Sequence, residues 1–330
     1  MRVFATLILA AACTFASAQS KTIILNESGH KYTSQAWFYA GADKPVQEGK
    51  IRDNWDSGRK ITSMAYTSKG WFFVMSKNTD ITRQRYKIST NWPADWIRTN
   101  WDEDFYISQI SCGDREWMVV MSKGEPYTNQ SWKRDRWSAM RRWISEKWEQ
   151  GKYITSVAFD GEKWVAVMSK HPRYSFQGYF WARDYKDLVD KVNRQVWDKQ
   201  FSVHAIEYGD GAYLVVYGTY PDARARKQNF AVDPPNIKNY ISLAWAEDLK
   251  VVYLGGSAPF SDYGIDGLSL PAPDASGPAP TLLPPPPPEE HMHHHDHHQA
   301  SPQKPSQPRV SNRSRVPASR SSRIGSAKRK

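Results

Sequence analysis

Four stretches of the chain align without a gap on one alternation of apolar and polar positions: ITSMAYTSKGWFFVMSK from Ile61, ISQISCGDREWMVVMSK from Ile107, ITSVAFDGEKWVAVMSK from Ile154 and VHAIEYGDGAYLVVYGT from Val203. Their starts are spaced by 46, 47 and 49 residues. Trp55, Trp101, Trp148 and Trp197 each stand six residues before a start. The pairs Gln84/Tyr86, Gln130/Trp132, Gln177/Tyr179 and Gln228/Phe230 keep the same beat. Three independent features on one spacing define an internal repeat of about 47 residues.

Within a unit the pattern predicts two strands joined by a tight turn, because Asp160-Gly161-Glu162-Lys163 and Gly209-Asp210-Gly211 carry the residues that antiparallel hairpins use. The glutamine-aromatic segment predicts a third strand. A short helical pattern follows it, at Trp96-Ile97 to Trp101, Trp143-Ile144 to Trp148 and Leu188-Val192-Val196. A small residue recurs in the first strand at Ala65, Ser111 and Ala158, as close approach of neighbouring sheets requires, and Glu207 breaks that column.

The ends of the repeat region supply the topology. Gln35 and Trp37 match the glutamine-aromatic column, and ISLAWAEDLKVVYLG from Ile241 resembles a shortened opening hairpin. These two halves make a fifth unit, and pairing strands from both termini would close a ring and hide its edges. The expected fold is all-β with short helices, a β-propeller of about five repeats closed by N- and C-terminal half-repeats.

Composition divides the chain. All 15 tryptophans lie between Trp37 and Trp245, whereas 14 of the 21 prolines follow Gly255. The first residues carry Arg2, an apolar run from Val3 to Ala12 and Ala16-Ser17-Ala18, the pattern of a signal peptide cut after Ala18; lipidation at Cys13 is the competing reading. The organisation expected is a signal peptide over 1–18, a repeat domain over 21–255 and a disordered tail over 256–330. Cleavage leaves Cys112 as the single thiol, so packing rather than a disulfide must stabilise the domain.

The formal charge is +11, of which the repeat domain holds +7 and the tail +3. All nine basic residues of the tail follow Ala300. The tail reads as a proline-rich spacer, a cluster of six histidines (His291, His293, His294, His295, His297 and His298) and a basic end over 301–330. Imidazoles at that density supply nitrogens to Ni²⁺, Cu²⁺ or Zn²⁺, and the basic end is expected to adhere to anionic envelope polymers or lipid. No cofactor is required.

The tryptophan, the Ile-Thr-Ser start and the runs Val74-Met75-Ser76-Lys77, Val120-Met121-Ser122-Lys123 and Val167-Met168-Ser169-Lys170 resemble an uncharacterised repeat domain. That domain lies beyond the kinase domain of plant Mut9-like, casein-kinase-I-type kinases and beside bacterial caspase-like domains. The resemblance covers residues 35–254 and implies an accessory interaction module. This chain has no kinase or protease segment, and its fourth unit reads Val216-Tyr217-Gly218-Thr219.

Candidate chemistry is thin. His30, His171 and His204 are the histidines of the repeat region, and no spacing ties them to a partner. Asp102, Glu103 and Asp104 fall where the preceding unit has Asp56-Ser57-Gly58, so they read as a solvated turn. Lys77, Lys123 and Lys170 could gather an anionic ligand, or could simply end their strands. Trp55, Trp101, Trp148 and Trp197 could stack on sugar rings, or pack between repeats. The function expected is a secreted or periplasmic, non-catalytic binding or scaffold protein whose partner is a protein or a glycan. Nucleic acid is not expected, since export separates the chain from it. The alternative is a propeller hydrolase of envelope or extracellular polysaccharide, which needs two or three carboxylates converging on the central channel.

Overall fold

The computed structural model describes residues 21–40, 48–113, 115–171, 174–219 and 227–256. The expected signal peptide, with Cys13, and the tail beyond Gly256, with its histidine cluster and basic end, lie outside the described residues.

The repeat folds as its pattern predicts. Asp210 and Gly211 both hold positive φ and join β12 (Ser202–Gly209) to β13 (Ala212–Gly218), as a two-residue hairpin turn demands. The Asp160 carboxylate accepts the backbone N–H groups of Glu162 and Lys163, fixing the turn between β9 (Tyr153–Phe159) and β10 (Trp164–Lys170). Equivalent hairpins are β3 (Lys60–Thr67) with β4 (Gly70–Lys77), and β6 (Tyr106–Gly113) with β7 (Glu116–Lys123). Helices α1 (Glu48–Asp56), α2 (Ala94–Trp101) and α3 (Trp137–Glu149) lead into β3, β6 and β9. Helix α4 (Tyr185–Lys191), with a π-helical turn over Val192–Trp197, leads into β12.

Four of the five glutamine-aromatic strands join the hairpin of the following unit. Thus β2 (Thr33–Ala40) pairs with β4, β5 (Arg83–Ser89) with β7, β8 (Thr128–Asp135) with β10 and β11 (Gln177–Ala182) with β13. Four three-stranded antiparallel sheets result, each straddling two sequence repeats.

The fifth sheet corrects the expected half-repeats. Residues from Ile241 do not form a hairpin: Ile237–Ala246 is helix α5 and Leu249–Gly255 is a single strand, β15. The middle strand comes from the N-terminus as β1 (Ile23–Ser28), which pairs with β15 on one side and with β14 (Gln228–Val232) on the other. The termini do meet in one sheet, but as one strand inserted between two.

The first strands of the hairpins, together with β15, lie side by side: β3 beside β6, β6 beside β9, β9 beside β12, β12 beside β15 and β15 beside β3. The succession returns to its start. Small residues permit the approach, with Ala65, Ser111 and Ala158 all buried. The Tyr66 ring lies directly on Gly113, and the Phe159 ring on Gly209, so any side chain at those glycines would collide. Glu207, the break in the small-residue column, is buried and accepts from the Tyr253 hydroxyl and the Gly256 N–H. Cys112 is fully buried, and burial pushes its thiol well above the ordinary range, which fits a packing role.

Candidate functional site

The column tryptophans and glutamines meet across the junctions between sheets. The indole Nε1 of Trp55 donates to Gln84 Oε1, Trp101 to Gln130, Trp148 to Gln177 and Trp197 to Gln228, at 3.0–3.4 Å. The same oxygens accept the backbone N–H of Ile61, Ile107, Ile154 and Val203. The amide nitrogens return a bond to the carbonyls of those four residues. A fifth copy closes the circuit, with Gln35 holding Trp245 and both backbone groups of Val251. Trp245 stands six residues before Val251, so its spacing marks it as a column member that a hairpin alignment from Ile241 obscures.

At the start of each first strand one residue is squeezed out of the ladder as a β-bulge. These residues are Thr62, Ser108, Thr155, His204 and Val252. A bulge re-aims its side chain, and all five line one cavity of about 130 Å³ at that end of the strands. In three units the bulge hydroxyl bonds a buried serine of the Met-Ser-Lys motif: Thr62 to Ser76, Ser108 to Ser122 and Thr155 to Ser169, at 2.7–3.0 Å. The serines also receive the amides of Gln35, Gln84 and Gln130. The motif is thereby explained, since its methionine is core and its serine is the node of this network.

Two neighbouring sheets abandon the node. In one, His204 replaces the bulge hydroxyl and Gly218 the serine; a side chain at 218 would run into the His204 ring and the Phe176 carbonyl. The Gln177 amide then lies 3.4 Å from His204 Nδ1. In the other, Glu27 stands in the serine position and accepts from Gln228 Nε2 at 2.8 Å, while Val252 is the bulge. Glu27 is only 2% exposed and lines the cavity.

The loops that leave the middle strands complete the wall. They bring His30 and Tyr32 after β1, Asp80 after β4, Glu125 and Tyr127 after β7, and His171 and Tyr174 after β10. Tyr127, His171, Tyr174 and His204 form a continuous run of rings with successive centroids 5.3, 4.4 and 4.7 Å apart, and His30 lies 3.9 Å from Tyr32. Asp80 is ion-paired with Lys31. Tyr32, Asp80 and Glu125 line the same cavity, and burial and then the charges of Glu125 and Asp80 raise the Tyr32 phenol far above its ordinary range. Burial, helped by His171, holds the His204 imidazole down to about 3, so the ring is neutral in ordinary conditions. The three histidines that no spacing connected thus share one cavity. Their common signal is position, since each lies at the same end of the strands.

The site residues read from sequence fall outside this wall. Trp55, Trp101, Trp148 and Trp197 are partly buried on the helices, with their indole nitrogens committed to glutamine. Lys77, Lys123 and Lys170 end β4, β7 and β10, immediately before the loops that line the cavity. Asp102, Glu103 and Asp104 are exposed after α2, as expected of a solvated turn. Among the described residues no group of three or more His, Cys, Asp or Glu is arranged to hold a metal ion.

A family described as a domain of unknown function (DUF7477) matches the sequence twice, over residues 8–138 and 116–228, and the chain belongs to that family. The double match agrees with the internal repeat. No curated protein and no solved structure matches the chain.

Proposed function

We propose that this chain is an exported, non-catalytic binding protein whose five sheets are the blades of a β-propeller, with the ligand taken at the histidine-tyrosine cavity on the axis. The observation that carries the reading is the substitution pattern at the repeat node. Where three units keep a self-satisfied hydroxyl pair, two adjacent units place His204 and Glu27, and both line the same cavity. A fold needs only the node; titratable side chains turned into a cavity serve a ligand. Circuit-wise adjacency of the first strands, and the five tryptophan-glutamine clasps, support the propeller.

Ring faces and acceptor-only carboxylates suit a ligand rich in hydroxyl donors, so a glycan is favoured over a protein segment. The tail, in this reading, adds divalent-metal binding and adhesion to anionic envelope polymers. Glycan-array binding of the mature chain tests the proposal. Glu27→Ser and His204→Thr return each position toward the other units, so they should keep the fold and lose the ligand. Retention of full binding by both variants would contradict the assignment.

A second reading has one specific observation in its favour. Glu27, Asp80 and Glu125 all line the cavity, as a polysaccharide hydrolase requires. Release of reducing ends from the bound glycan, abolished by Glu27→Gln, would establish it.

A further inference from the structure

The rim beside this cavity carries a cluster of ammonium groups that the fold does not need. Lys170 ends β10 and Lys152 immediately precedes β9, so the two lysines flank the last cross-strand pair, Ser169 with Tyr153. Like charges so placed repel. Lys152 is only 6% exposed, and its Nζ has a neutral partner, Ser131 Oγ at 3.2 Å. Lys147, at the end of α3, donates to the neutral Gln150. None of the three forms an ion pair among the described residues. The Lys152 backbone N–H bonds the Lys147 carbonyl at 2.9 Å, which sets the two residues side by side, and burial and then the charges of Lys147 and Lys170 lower the Lys152 ammonium.

The cluster is tied to the cavity wall by covalent adjacency. His171 follows Lys170, and Tyr153, which follows Lys152, contacts Tyr174 with ring centroids 5.7 Å apart. Lys77 and Lys123 stand in the corresponding place before Asp80 and Glu125, and Lys123 lies over the Phe105 ring at 4.9 Å.

We infer that Lys147, Lys152 and Lys170 form an anion subsite on the rim, and that the ligand is an acidic polysaccharide whose acid groups rest there while a neighbouring sugar enters the cavity. This deepens the binding reading and rests on it. The cavity supplies rings and carboxylates for sugar faces and hydroxyls, the rim supplies the charge, and the pair distinguishes an acidic glycan from a neutral one. Nucleic acid fits less well, because Glu27, Asp80 and Glu125 would face its phosphates.

The test uses the full chain and, to subtract the tail's own adhesion, the chain without residues 289–330, each titrated calorimetrically with polygalacturonate, its fully methyl-esterified counterpart and a DNA duplex of matched length at two salt concentrations. The expected result is salt-sensitive binding of polygalacturonate, at least about tenfold weaker binding of the ester, and a comparable loss in K147Q/K152Q/K170Q. A control variant, Lys186→Gln on α4, should bind as the parent does. Circular dichroism melting checks that the triple variant folds; if it does not, the single variants K147Q and K170Q carry the comparison. Equal affinity for acid and ester would overturn the anion subsite while leaving the cavity reading intact. Binding of neither polymer, or tighter binding of DNA, would overturn the inference outright.

Discussion

Trp245 Nε1 donates to Gln35 Oε1 at 3.0 Å across 210 positions of sequence, and with it the last junction between sheets takes the same form as the other four. Replacing Gln35 by leucine removes the partner of that indole and strands both backbone groups of Val251. A loss of roughly 2–4 kcal/mol is expected, because buried polar groups left unmade are costly. Gln84→Leu at an internal junction should cost about the same. Urea unfolding measures both, and a negligible effect at Gln35 alone would mean the termini do not close the circuit.

Burial pushes the Glu207 carboxyl up to about 8, with hydrogen bonds from Tyr253, Gly256 and Tyr208 opposing the shift. Because the folded value lies above the ordinary 4.5, the native state holds a proton that the unfolded state has released between those two values. Stability therefore falls as pH rises from about 4.5 to about 8 and is level above that. Glu207→Gln should match the parent near pH 4 and exceed it by on the order of a few kcal/mol at pH 9. Thermal melting across this range tests the sign; a difference that does not change with pH would refute it.

The contact of Tyr66 with Gly113 predicts a strongly coupled pair. Gly113→Ala alone should destabilise by roughly 1–3 kcal/mol through overpacking. Combined with Tyr66→Ala, the added methyl should cost much less, and a double-mutant cycle that shows simple additivity would be inconsistent with the packing described.

Removing residues 289–330 should abolish Ni²⁺ retention and salt-sensitive adhesion to anionic surfaces and leave the melting temperature unchanged. Calorimetry on the shortened chain decides this. A large drop in melting temperature would make the tail part of the fold.

The strands, turns and helices of each unit were legible in the sequence because the repeat multiplies every weak local signal. That strands from both ends of the repeat region share one sheet was legible too, although the Gln35 strand itself joins β4. The identity of the closing strand was not: Ile23-Ile24-Leu25 is a short apolar run with no column residue, and Ile237–Ala246 imitates a strand pattern while forming a helix. The cavity was illegible for a different reason. Its histidines sit on a bulge or in loops, where side-chain direction follows from a register shift that no periodicity announces. The glutamine and tryptophan columns, by contrast, were visible but chemically ambiguous until their shared bonds assigned them to the junctions. His204 and Gly218 were readable as departures from Thr-Ser, and only their contact joins them.

The cavity at the starts of the first strands as the ligand site is tested most directly by hydrogen–deuterium exchange of the chain with and without polygalacturonate. Within the repeat domain the account predicts protection confined to residues 29–32, 78–82, 124–127, 147–152, 170–171 and 174–176 and to the starts of β3, β6, β9 and β12. Protection at the opposite turns, around Lys69, Gly161 and Asp210, or none anywhere, would contradict it.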